Sequence, residues 1–258
     1  MIEKLLGLPV LASEQGRQVD HLMVYVHGLM ILLFVGWLSF FAIALFRFRR
    51  SRNPKASYAG VKSHISSYLE IAVAVVEGVL LFGLSVPFWA KAVDKFPKES
   101  ESTVVQIVAQ QFAWNARYPG KDGIFGKQDM RWVSSTNVFG VDPADPNGKD
   151  DVQTLNEIHV PLVKNPDGRF KPVILHISSK DVVHSFKVLA MRIAQDAIPG
   201  MRIPIWFRPT REGRFQINCA QLCGNGHSIM SQGFLVVEDP ALYDKWLASK
   251  TGAATSFE

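Results

Sequence analysis

The chain has 258 residues, 48% of them hydrophobic and 20% charged, a composition too apolar for disorder and long enough for one large or two small domains. Its 28 basic against 23 acidic residues give a formal charge of +5, but six basic and no acidic side chains lie between Arg47 and Ser67, while residues 90–258 hold 20 basic and 18 acidic ones. That distribution leaves no general basic surface for nucleic acid, and two cysteines confined to one pentapeptide exclude a disulfide-stapled miniprotein.

The first residues carry Leu5, Leu6, Leu8, Val10 and Leu11 and suit a short interfacial helix or a processed leader within an N-terminal segment, 1–21. From Leu22 to Phe46, 25 residues pass without Asp, Glu, Lys or Arg. At the helical rise this is roughly 37 Å, more than a bilayer core of about 30 Å, and predicts a transmembrane helix. A cleaved signal peptide fits less well, because its apolar core is shorter and positive charge precedes it rather than follows it. Ile71 to Trp89 is a second span, whose one charge, Glu77, is of the kind that membrane helices turn toward protein or water. Between the spans stand Arg47, Arg49, Arg50, Arg52, Lys55 and Lys62, which the positive-inside rule assigns to the cytoplasm. Residues 22–90 therefore read as a hairpin in the lipid bilayer with a basic cytoplasmic loop at 47–67, and residues 91–258 as an extracytoplasmic domain.

In that outer part, apolar residues alternate at Val105 and Ile107, at Val173, Leu175 and Ile177, at Ile203, Ile205 and Phe207, and at Phe215 and Ile217; a short run follows at Phe234 to Val237. Those are strands of a sandwich or barrel, followed by one amphipathic helix from Pro240 to Ala248. Residues 118–151 are rich in Gly, Pro, Asp and Asn and read as a long surface excursion.

Cys219, Cys223, His227 and Met230 fall within twelve residues, just after a strand. Thiolate and thioether are soft ligands that suit copper, and imidazole suits copper or zinc, whereas a structural zinc site is more usually completed by Cys or His than by Met. The competing readings are a Cys219–Cys223 disulfide, a pair of buried thiols, and a methionine that is only core. A second imidazole comes from His176 or His184. His176 lies inside an alternating strand, whereas His184 follows a strand end, where a loop can aim it at the later cysteines, and is preferred.

The stretches around His184, from Asp196 to Gly200, and from Cys219 to Met230 resemble subunit II of the haem-copper cytochrome c oxidases. The two-helix anchor and outer β domain extend that resemblance over nearly the whole chain. Its most specific part is a His followed 35 residues later by Cys-x3-Cys-x3-His-x2-Met, which is similar to the dinuclear copper centre CuA. The resemblance implies a transmembrane hairpin followed by an all-β, cupredoxin-like Greek-key sandwich. It further implies two copper ions bridged by Cys219 and Cys223, each with one of His184 and His227, with Met230 and the Gln221 carbonyl as weak outer ligands. Electrons would come from a c-type cytochrome or haem domain and pass to haem in subunit I, where oxygen is reduced and protons are pumped. Subunit I and other oxidase subunits are the implied partners, in an energy-transducing inner membrane, with no nucleic acid.

The chain departs from the family at three places. Gln221 stands where the family has Glu; a carbonyl ligand is indifferent to this, but a neutral amide is a poorer partner for a hard dication, so magnesium at the subunit I boundary is placed in doubt. In the aromatic run, Phe112 stands where the family's electrons enter at Trp, so that either Phe112 serves as the contact or Trp114 takes over, unless both are sandwich core. Glu70 matches a family glutamate near a proton-uptake path; Glu77, one heptad later on the same helix face, has no counterpart. The competing functions are a copper-free quinol-oxidase-type scaffold, which intact ligands disfavour, and the CuA subunit of a nitric oxide reductase. The hairpin disfavours the soluble nitrous oxide reductase.

Overall fold

The computed structural model of the chain describes residues 6–55, 58–60 and 62–250, and the chain divides into two units, one built on Gln18–Lys95 and the other on Pro9–Arg17 with the chain from Phe96 onward. Leu5, part of the leader reading, lies outside the described residues.

The first unit is helical: α1 (Gly16–Arg47), α2 (Ile65–Gly78), a π-helical stretch (Val79–Ser85) and α3 (Val86–Asp94). Two continuous helices, Gly16–Arg47 and Ile65–Asp94, are long and apolar enough to cross a membrane, and neither apolar stretch is buried in protein. Both run past the limits read from charge alone, because a helix needs only its own backbone bonds and continues through polar turns into the interface. At the end of α1 the Asn53 amide donates to the Arg47 carbonyl at 2.6 Å, satisfying one of the helix's orphan acceptors. The π stretch precedes Pro87, which has no N–H to offer the α-helical ladder. The register shifts there, the Val86 N–H bonding back to Leu81 and the Ser85 hydroxyl donating to the Leu80 carbonyl at 3.1 Å.

The second unit is a β-sandwich. One sheet contains β1 (Thr103–Gln110), β2 (Ala113–Tyr118), β3 (Val152–Leu155), β5 (Val173–Ser179) and β8 (Ile203–Phe207), in the order β3-β2-β1-β5-β8, with β1 and β5 parallel. Two smaller sheets oppose it. One has the order β10-β6-β7, from β6 (His184–Val188), β7 (Ile193–Ala197) and β10 (Asn218–Cys219). The other has the order β4-β11-β9, from β4 (Glu157–Pro161), β9 (Gly213–Gln216) and β11 (Phe234–Glu238). Val105, Ile107, Trp114 and Leu175 from the large sheet meet Phe186, Val188, Ile158 and Leu235 from the small ones in a single buried core. Helix α4 (Pro240–Lys250) is the last element among the described residues, with Trp246 stacked on His159 at 4.0 Å.

Every run read as a strand from alternation lies in or beside a strand; Ile217 falls just past β9, buried, with its N–H on the Gly233 carbonyl. The further strands β2, β3, β4, β6, β7 and β10 are short or carry buried polar residues such as Asn115, Thr154, His159 and Ser185. Their alternation is weak because pairing partners, rather than intrinsic pattern, hold them in place.

Residues 119–151 contain no strand, only two 3₁₀ turns and a bridge between Gln128 and Val141. All six residues of β2 are buried, Trp114, Ala116 and Tyr118 in the core and Arg117 under the excursion. Arg117 anchors it: its guanidinium pairs with Asp151 and donates to the Gly126 carbonyl at 2.7 Å, with both charged side chains almost wholly buried. Burial outweighs the pairing on both partners, lowering Arg117 and raising Asp151 from their ordinary pKa values. Asp145 also turns inward and accepts from the Lys127 N–H at 2.7 Å. Two of the four carboxylates in the acidic run Asp142, Asp145, Asp150 and Asp151 are thus structural.

The segment before α1 is not an interfacial helix among the described residues. It is extended and woven into the sandwich: Ala12 and Ser13 are buried, the Ala12 N–H donates to the Ala190 carbonyl at 2.8 Å, the Thr210 N–H donates to the Ala12 carbonyl at 2.9 Å, and the Ser13 hydroxyl donates to the Met191 carbonyl at 2.6 Å. Leu8 to Leu11 lead into those backbone pairings, which a helix could not make.

Candidate metal centre

The site forms where β6 begins and β10 ends. In the β6–β10 register Cys219 faces Phe186, and the Ala220 N–H donates to the Ser185 carbonyl at 2.9 Å, which brings the start of β6 beside the cysteine loop. His184 is not on a loop, as its place after an apolar strand suggested. It is the first residue of β6, fully buried and paired with Ala197 of β7. The sheet therefore fixes its backbone, and the intervening Ser179–Val183 segment supplies the turn. His176 lies on β5 and bonds Glu99 at 2.6 Å, apart from the cysteines.

The Nδ1 atom of His184 lies 3.1 Å from Met230 Sδ, and Cys223 Sγ lies 3.4 Å from both Met230 Sδ and His227 Nδ1. Cys219 Sγ is 3.9 Å from Cys223 Sγ and 3.0 Å from the Gln221 carbonyl. A disulfide requires about 2.05 Å, so these are two free thiols. Ligand atoms of His184, Cys219 and Cys223 all lie within 4.8 Å of one another, a cluster suited to holding a metal ion. Burial, with a further push from the neighbouring Cys219, raises the Cys223 thiol to about 11. A thiolate pair here calls for a compensating cation.

The supporting residues were not legible as such. Asp181 Oδ1 lies 2.9 Å from His184 Nε2, leaving Nδ1 aimed at the sulfur cluster. Burial raises the Asp181 carboxyl, yet hydrogen bonds from the Gln111 N–H, His184 and the Val182 N–H together hold it below its usual value. The only trace of this in the sequence is an acidic residue three positions before the histidine. Trp114 is fully buried; its indole N–H donates to the Met230 carbonyl at 3.0 Å, and its ring meets His184 edge-on at 6.1 Å. Phe112 is partly exposed and lies so close over the Cys223–His227 loop that a Cβ at Gly226 would clash with its ring. Glu70 and Glu77 are both exposed on α2, seven residues apart.

A family model described as "Cytochrome C oxidase subunit II, periplasmic domain" matches residues 147–238, which include His184, both cysteines, His227 and Met230. The alternative cytochrome c oxidase subunit 2 of Bradyrhizobium diazoefficiens is 35% identical over 227 residues, covering 87% of this chain and 77% of that protein. The chain belongs to the cytochrome c oxidase subunit II family. A more distant member, cytochrome c oxidase subunit 2 of Cereibacter sphaeroides, is 28% identical over 237 residues, 86% of this chain and 72% of its own length. Among solved structures, the periplasmic domain of subunit II of cytochrome oxidase of Bradyrhizobium japonicum aligns with a TM-score of 0.42 and 24% identity, covering 60% of this chain and 95% of that one. As a subunit II, the protein works within a haem-copper terminal oxidase, an oxidoreductase complex. Two apolar helices and an outer domain of the periplasmic family fit an inner-membrane protein with an extracytoplasmic domain.

Proposed function

We propose that this subunit receives electrons from a c-type cytochrome or haem domain at a dinuclear copper centre and delivers them to haem in subunit I, for oxygen reduction coupled to proton pumping. The observation that carries the reading is the convergence of two thiols, two imidazole Nδ1 atoms, one thioether and one carbonyl from β6, the end of β10 and the segment after it. A structural zinc site is more usually completed by Cys or His than by a thioether, so that donor set suits copper. Cys219, Cys223, His184 and His227 would hold the coppers, with Met230 and the Gln221 carbonyl as weaker ligands. Such a centre would supply fast one-electron transfer.

The chain's own residues supply the rest. Asp181 holds the His184 ring, and Trp114 holds the loop that carries Met230. Because Trp114 is buried, Phe112 is the better surface for an arriving donor. Exposed apolar side chains flank the ligands in sequence, with Leu222 79% and Ile229 47% exposed. With Asp145 and Asp151 turned inward, a short-range apolar contact is favoured over long-range steering by acidic charge. Glu70, near the start of α2, is assigned to proton uptake on the cytoplasmic side of the membrane. The exposed Gln221 side chain, being a neutral amide, offers no carboxylate for magnesium.

The test is metal analysis with electron paramagnetic resonance. Two coppers per chain and a delocalised mixed-valence signal are expected, lost in Cys223→Ser and largely kept in Gln221→Ala. One copper, or zinc, per chain would overturn the assignment.

A further inference from the structure

Cys219 is fixed by strand pairing, but Cys223 lies beyond β10, on a loop with no ladder of its own. Its carbonyl is held instead by Gln111, whose side-chain amide donates to it at 2.6 Å. The backbone N–H of the same residue donates to Asp181 Oδ2 at 2.7 Å, while the other Asp181 oxygen faces His184 Nε2. One residue in the tight turn between β1 and β2 thus ties the arm carrying His184 to the loop carrying Cys223, across sequence separations of 70 and 112 residues.

The loop is shaped to receive that amide. Gly224 has φ +137°, in the region that favours glycine, and a Cβ there would stand 2.8 Å from Gln111 Nε2. Phe112 then packs its ring over Gly226, so the two residues of the turn meet the ligand loop at two places, the Cys223–Gly224 peptide and Gly226. A rotation of the peptide after Cys223 would swing the Cys223 side chain relative to Met230 and His227, both now 3.4 Å from its sulfur.

We propose that Gln111 is a positioning residue for the metal centre: its amide locks the Cys223–Gly224 peptide, and with it the placement of Cys223 Sγ against the sheet-mounted His184. The proposal rests on the copper reading above. Residues that orient ligands in this way typically change metal affinity about 10- to 100-fold when removed. A brace that only stabilised the turn would alter unfolding and leave the metal's electronic structure alone.

The experiment uses the full-length chain in detergent and compares wild type with Gln111→Ala, Gln111→Met and Gln111→Glu. Copper loss to a chelator, the thiolate-to-copper absorption, the mixed-valence signal and the midpoint potential are read on the loaded protein, and thermal unfolding is read on the metal-free protein. Gln111→Met keeps the shape without the donor; Gln111→Glu sets an acceptor against the carbonyl. Copper loss should rise about 10-fold or more in Met and Ala and further in Glu, with shifted absorption and signal. Copper retention, spectrum and potential all equal to wild type in Met and Glu would overturn the proposal. So would a change confined to metal-free unfolding, or a ranking that follows side-chain size. A wild-type chain that holds no copper pair would instead remove the copper reading itself, and this proposal with it.

Discussion

Replacing Trp114 by Phe separates support of the site from contact with the donor. The indole is fully buried, and its N–H reaches the Met230 carbonyl at 3.0 Å; that carbonyl otherwise keeps only a long bond, 3.4 Å, from the Gly233 N–H. Removing the donor leaves a buried acceptor poorly satisfied, at about 1–3 kcal/mol. Losing the five-membered ring adds about 1 kcal/mol of apolar burial at ~25 cal/mol per Å². The metal-free protein should therefore lose about 2–4 kcal/mol, a fall of roughly 4–16 °C in melting temperature for a domain of this size. Because the freed carbonyl belongs to Met230, the loaded centre should also show a changed spectrum. Phe112→Ala should act chiefly on the donor contact, slowing reduction by a c-type cytochrome more than it disturbs the copper spectrum. Denaturant unfolding, the copper spectrum and stopped-flow reduction at low and moderate salt measure all three effects. The reasoning fails if Trp114→Phe unfolds within about 0.5 kcal/mol of wild type with an unchanged spectrum. A steep loss of reduction rate with added salt, insensitive to Phe112→Ala, would instead mean electrostatic docking on the acidic excursion.

Arg117→Met leaves the Asp151 carboxylate buried without its partner and should destabilise the protein by about 3–5 kcal/mol, whereas Arg117→Met combined with Asp151→Leu should recover most of that loss, as measured by denaturant unfolding. Glu70→Ala should slow oxygen consumption by the assembled oxidase without altering its copper content; an unchanged turnover across pH would remove Glu70 from proton uptake.

How much could be read from the residues alone follows from the range of each interaction. The two spans were legible because a helix satisfies its backbone internally, so an uncharged stretch such as Leu22 to Phe46 suffices to specify it. Four of the candidate ligands were legible because they fall within twelve residues, where spacing itself restricts which side chains can converge. The strands with clean alternation, such as Val173 to Ile177, were likewise local signals. Tertiary structure alone decided that His184 stands on a strand and is aimed by Asp181, since that depends on the register of β6 against β7 and β10. It also decided that Trp114 lies beneath the site rather than at its surface, that half of the acidic run faces inward, and that the segment around Ala12 belongs to the sandwich. Each of these contacts joins residues far apart in the chain, as when the Ser13 hydroxyl meets the Met191 carbonyl 178 positions away. Side-chain type and local period are silent about such pairs, because they form only when separate sheets have packed and a buried polar group must take whichever partner the register brings within reach.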